Sequence, residues 1–97
     1  MQFKDLEWKD VVSDGVTVCS HCEINICGVI RMEFKINHDP EEDKYLLYIF
    51  GKGSLRRLKP EKYDSIESAK NMAYRAYSNE MEKIRKAIDY FVAQDIC

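Results

Sequence analysis

Ninety-seven residues, 45% apolar and 33% charged, are enough for one globular domain with a single core, and they exclude a disordered or fibrous chain. A formal charge of −2, with acidic and basic residues interleaved, supplies no field to attract nucleic acid, which is disfavoured as a partner. The opening MQFKDLEWKD is charged from position 4 and lacks the apolar centre of a secretion signal. No run approaches the roughly 18 apolar residues of a membrane span, so the expected setting is the cytoplasm, with no membrane contact. Thiols stay reduced there, and the four cysteines are not read as a disulfide framework.

LEWKDVV, Leu6 to Val12, puts Leu6, Trp8 and Val12 on one face and predicts a first half-buried strand. Ser13-Asp14-Gly15 follows as a hairpin turn signal, because glycine accepts the positive φ of a tight turn. From Val16 to Ile36 the even positions are mainly apolar, while the odd ones include Thr17, His21, Glu23, Asn25, Arg31, Glu33 and Lys35. As one strand this run would reach roughly 70 Å at about 3.3 Å per residue, too long for the domain, so it must fold back. The expected reversal is Asn25 to Gly28, with Ser20 to Glu23 as the rival site.

Within that run CSHCEINIC concentrates Cys19, His21, Cys22 and Cys27 and raises the question of a metal site. An extended Cys19 to Ile26 points Cys22 to the core beside Val18 and Ile24, and points Cys19 and His21 the other way. Ligands on opposite faces cannot share one ion. Ordinary packing and surface cysteines are therefore the main reading, with no cofactor expected. A metal site of Cys19, Cys22, Cys27 and His21 is the alternative, strengthened if the turn falls at Ser20 to Glu23.

NHDPEED, Asn37 to Asp43, reads as a solvated hairpin tip, or alternatively as an acidic patch for a basic partner. YLLYIF, Tyr45 to Phe50, is apolar on both faces, as in a strand covered by the helix on one side and by something else, such as a partner, on the other. SLRRLK, Ser54 to Lys59, is a plausible last strand closed by Pro60, with Arg56, Arg57 and Lys59 as the local basic cluster.

Asp64 or Ser65 caps a long helix with Glu67 in its first turn, and neither glycine nor proline follows. Its inner stripe comprises Ile66, Ala69, Ala73, Tyr77, Ile84, Ile88 and Phe91, with Ala69, Ala73 and Ala76 small enough for close approach to a sheet. From Ser65 to about Ala93 it runs roughly 45 Å, against about 20 to 33 Å for the strands. The overhang leaves Ile84, Ile88, Phe91 and Val92 partly exposed and predicts self-association as a homodimer. The expected fold is thus α+β, one domain with an antiparallel meander of four to five strands over about 5–59 packed on one long C-terminal helix over about 65–93.

G-x-S-x-G, H-E-x-x-H and P-loop patterns are missing, and the adjacent Glu41 and Glu42 point apart in a loop, so no enzyme activity is expected. The LEWK strand, the glycine turn, the short strands and the phrase YDSIESAKNMAYRAY, with Trp8, Gly15, Ser65, Ala69 and Lys70 as landmarks, resemble a widespread type of small phage or prophage protein. That resemblance implies a non-enzymatic accessory protein acting in the host cytoplasm. Similar chains include inhibitors of bacterial immunity such as anti-CRISPR proteins.

Two functional readings follow. In the first the protein binds and inhibits a host protein through Tyr45, Tyr48, the acidic loop (Asp39, Glu41, Glu42, Asp43) or the helix overhang. In the second it is a small binder or sponge for an anionic nucleotide, held by Arg56, Arg57 and Lys59 at a dimer interface. A zinc-stabilised interaction module is a third and weaker reading.

Overall fold

The computed structural model describes residues 3–51 and 59–96. Strands β1 (Lys9–Ser13), β2 (Val16–Ile26), β3 (Ile30–Asp39), β4 (Lys44–Phe50) and β5 (Glu61–Tyr63) form one antiparallel sheet in the order β1-β2-β3-β4-β5, followed by helix α1 (Ile66–Ile96). This is the α+β meander on one C-terminal helix that the sequence predicts.

Turn chemistry sets the reversals. Asp14 and Gly15 join β1 to β2 with φ of 52° and 78°, the left-handed pair that a two-residue hairpin requires. Cys27 and Gly28, at φ of 53° and 72°, are also left-handed, in the three-residue turn Cys27-Gly28-Val29 between β2 and β3, where Ile26 pairs with Ile30. The Asn25 side chain accepts the Gly28 N–H at 2.9 Å, and the Val29 N–H donates to the Ile26 carbonyl at 3.0 Å. The reversal therefore lies at the expected site rather than at its rival, Ser20 to Glu23, which continues in β2.

Alternation decides which side chains meet the helix. Ser20 and Cys22 of β2, Met32, Phe34 and Ile36 of β3, and Leu47 and Ile49 of β4 are buried against Ala69, Ala73 and Tyr77 of α1. Two strand expectations need correction. The first strand spans Lys9–Ser13 rather than Leu6 to Val12, and Leu6 and Trp8 reach the core from an extended segment outside the sheet. An irregularity between Val11 and Val12 breaks the alternation, so Val12 is 59% exposed instead of facing inward.

The other correction concerns the last strand. Ser54 to Leu58 lie outside the described residues, and Lys59 is exposed and in no strand. The fifth strand instead starts just after Pro60, which has no N–H to give to a ladder, and pairs Glu61, Lys62 and Tyr63 with Leu47, Leu46 and Tyr45.

Ser65 caps α1, its Oγ accepting the Ser68 N–H at 3.1 Å, with Glu67 in the first turn. Asp64, the rival cap, is instead an ion-pair partner of Lys44. At about 1.5 Å per residue α1 is roughly 46 Å long. It enters beside the β3–β4 loop and leaves past the β2–β3 tip. Ala69 and Ala73 are fully buried and Ile66 and Ile84 partly so, whereas Ile88, Tyr90, Phe91 and Val92 are 53% to 69% exposed. The resulting rod of 59 × 22 × 22 Å has a radius of gyration of 15.9 Å, against about 13 Å for a compact chain of this length.

Candidate functional site: the open sheet face and its two ends

The helix covers one face of the sheet, and the strand registers define the other. One row across it reads Val11, Cys19, Asn37, Leu46, Lys62; the next reads Lys9, His21, Lys35, Tyr48; a third reads Glu23, Glu33, Phe50. Glu23 and Glu33 are a like-charge cross-strand pair, a destabilising arrangement that a hydrogen bond from His21 Nε2 to Glu33 Oε1 at 2.8 Å offsets. Along β4, Leu46 and Tyr48 are half-buried and Phe50 is 51% exposed. No described element packs over this band. Because a strand's side chains alternate, Tyr45 lies on the helix side, its ring tilted against that of His38 with centroids 4.9 Å apart, and shares no face with Tyr48.

The acidic loop is largely occupied with itself and its neighbours. The Asp39 carboxylate accepts the Glu41 N–H at 3.0 Å, Glu42 pairs with Lys62 at 2.6 Å, and Asp43 pairs with His38 at 2.8 Å. Beside it, Lys44 holds the Asp64 carboxyl below its usual range by hydrogen bond and charge. These contacts tie the β3–β4 loop to β5 and to the start of α1, so much of its charge is already balanced.

The three described cysteines have three different environments. Cys22 is 2% exposed in the core, Cys19 is half-buried on the open face, and Cys27 is exposed in the hairpin turn. Burial pushes the Cys22 thiol up. Cys19 and His21 share a face that excludes Cys22, and among the described residues no three His, Cys, Asp or Glu side chains cluster as metal ligands. Under native conditions a thiol reagent should label Cys27 quickly and Cys22 only on unfolding; mass mapping after timed alkylation measures this, and fast native labelling of Cys22 would contradict the packing.

A polar network anchored on a buried serine was not legible in the sequence. Ser20 has no exposed surface and donates its hydroxyl to Asp10, whose two carboxylate oxygens also receive the Lys70 ammonium at 3.2 Å. Lys70 lies 5.6 Å from the centre of the Trp8 ring. The Ser20 hydrogen bond and the Lys70 ammonium hold the Asp10 carboxyl below its usual value, against a smaller opposing effect of burial. Serine, carboxylate and lysine suggest nucleophile chemistry on paper, but no substrate reaches a serine with zero exposure. The network fastens the edge strand β1 to the helix.

At the opposite end a groove of about 630 Å³ opens where β4 stops. Phe50 pairs with Glu33, so Ile30, Arg31 and Met32 of β3 have no strand beyond them among the described residues. The groove wraps this edge: Val29, Ile30, Met32, Phe50 and Ile84 form its apolar wall, and Glu23, Glu33, Glu80 and Arg31 its polar one. The sequence contained no sign of it, because it depends on where β4 ends relative to β3. Of the basic cluster, Arg56 and Arg57 lie outside the described residues, and Lys59 is exposed.

Among the described residues no helix is long and apolar enough to cross a membrane. Compared with protein-family models, with curated proteins and with solved structures, the chain matches none.

Proposed function

We propose that the protein acts by binding another protein through the open face of its sheet, without catalysis of its own. The supporting observation is the band Leu46, Tyr48, Phe50 along β4, left uncovered by the described residues and set among Lys35, Arg31, Glu33 and His21. An aromatic and aliphatic centre with a mixed-charge rim is the composition of a protein-binding patch, in which Tyr48 anchors and the charges select. The resemblance of the sequence to small phage proteins makes a bacterial host protein the partner class, immune components included, and makes inhibition by occupancy the outcome in the host cytoplasm.

Immobilised protein should retain a stoichiometric partner from lysate of the right bacterial host. Tyr48→Glu should abolish the retention with an unchanged melting temperature, because Tyr48 lies outside the core, and Phe91→Ser at the far end of the helix should keep it. Failure to recover a partner across several hosts, or recovery indifferent to Tyr48→Glu, would remove the open face from consideration.

A further inference from the structure

The strand registers set Lys9, His21, Lys35 and Tyr48 side by side in one row across the open face, roughly 14 Å long at about 4.8 Å per strand. Lys44, Lys62 and Lys70 are each closed by a carboxylate, whereas neither Lys9 nor Lys35 has an ion pair or hydrogen bond among the described residues. The next row toward the β2–β3 turn carries Glu23 and Glu33, about 7 Å along the strands, and His21 occupies Glu33 through its 2.8 Å hydrogen bond. On the other side Cys19, Asn37 and Leu46 are uncharged. The row is thus a narrow line of unpaired cations that ends at an aromatic ring.

We propose that this row docks an acidic segment of a partner protein, with carboxylates over Lys9 and Lys35 and an aliphatic or aromatic side chain against Tyr48 and Leu46. The inference rests on the open-face reading and adds to it the chemistry of the partner. Charge complementarity names the occupant, because the ammonium groups of this row have no carboxylate of their own chain to answer them. Lys35 is half-buried between His21 and Tyr48, so a carboxylate that reaches it is screened by salt less than one at a fully exposed lysine. The acidic row decides between two classes of anionic partner. A phosphate backbone is charged along its whole length, and over a strip only about 7 Å wide it would also lie against Glu23 and Glu33. A protein surface can set acids over the lysines and neutral or basic groups over Glu23, so the acidic peptide segment fits and the polynucleotide does not.

An array of short random peptides probed with the labelled full chain tests this, with oligothymidylate as the nucleic-acid probe. The retained peptides should be richer in Asp and Glu than the array, should carry an aliphatic or aromatic residue, and should bind more weakly as salt rises. Lys9→Glu combined with Lys35→Glu should reduce their binding at least about ten-fold, and Lys9→Gln combined with Lys35→Gln about three-fold. Arg75→Glu combined with Lys86→Glu makes the same change in net charge at exposed helix positions and should leave binding unchanged. Lys9 is exposed and Lys35 lies outside the core, so the variants should keep the native melting temperature, and the glutamine pair decides if the glutamate pair does not fold. No retained peptide, retained peptides without acidic bias, lysine variants that bind like the native chain, or oligothymidylate bound more tightly than the best peptide would each overturn the proposal. Binding lost in Tyr48→Glu but kept in the lysine variants would leave the open face as the site and remove only its acidic partner.

Discussion

Phe34→Ala should destabilise the protein by about 3–5 kcal/mol, while Phe91→Ala, the same chemical change, should alter the stability of the monomer by no more than about 0.5 kcal/mol. The contrast follows from position alone. Phe34 has no exposed surface: it sits on the middle strand β3, paired with Cys22 on one side and Ile49 on the other, in the core capped by Ala69, Ala73 and Tyr77. Removing its ring costs the transfer energy of the buried atoms and leaves a cavity that neighbours on two hydrogen-bonded strands are held back from filling. Domains of this size have about 5–15 kcal/mol in total, so Phe34→Ala brings the fold near its limit. Phe91 is 69% exposed, with the ring of its helical neighbour Tyr90 at 6.2 Å between centroids. Denaturant unfolding at a protein concentration low enough to keep the chains apart measures both. Equal losses would mean that the helix end packs on the body and the rod is shorter than described.

Asp10→Ala should cost about 2 kcal/mol at neutral pH, and the difference from the native protein should shrink in acid. The carboxylate accepts from the Ser20 hydroxyl, which it helps to cover, and from Lys70, and its loss removes both contacts at once. The pH dependence has a definite sign. Asp10 titrates lower in the folded chain than the ordinary value of 3.8, so the folded state favours the ionised form. That stabilisation is complete above the unfolded value, near pH 3.8, and is lost as pH falls from there through the lower folded value. Asp10 and Lys70 are about a third exposed, so the ion pair contributes the smaller share and the buried hydrogen bond the larger. Ser20→Ala separates the two: it removes donor and demand together and should cost about 1 kcal/mol, less than Asp10→Ala. Stability of the native chain and both variants from pH 7 down to pH 3 measures this. A Ser20→Ala loss as large as that of Asp10→Ala would make the hydroxyl a packing element rather than a demanding donor.

The two ends of the rod differ in how they manage exposed surface. At the end where α1 starts, Lys44 pairs with Asp64, Lys62 pairs with Glu42 and His38 is hydrogen-bonded to Asp43, while Val11, Val12 and Val16 of the first hairpin are exposed. At the end where α1 leaves, Val29, Phe50, Ile88, Phe91 and Val92 remain in water, along with Tyr90.

The sequence by itself determined whatever depends on neighbours a few residues apart. Period-two alternation put Cys22, Ile24, Met32, Phe34 and Ile36 on one face and Cys19 and His21 on the other. Asp14-Gly15 and the Asn25 to Gly28 stretch marked turns because left-handed backbone is a local property, and Asp64 or Ser65 marked the helix start to within one residue because a cap reaches only three residues ahead. Helix length was also local, and with it the overhang. What only the tertiary structure decided was non-local: that Glu61–Tyr63 is a strand, since three residues form one only where Tyr45 to Leu47 wait to pair; that Val12 turns outward past a break in register; and that Ser20 finds Asp10 and, through it, Lys70, 60 positions from that carboxylate. The groove belongs to this second class, because it exists only where β3 outruns β4 beneath the departing helix. Local backbone preference fixes the elements, but register and the ends of strands are set by which distant side chains can be buried together.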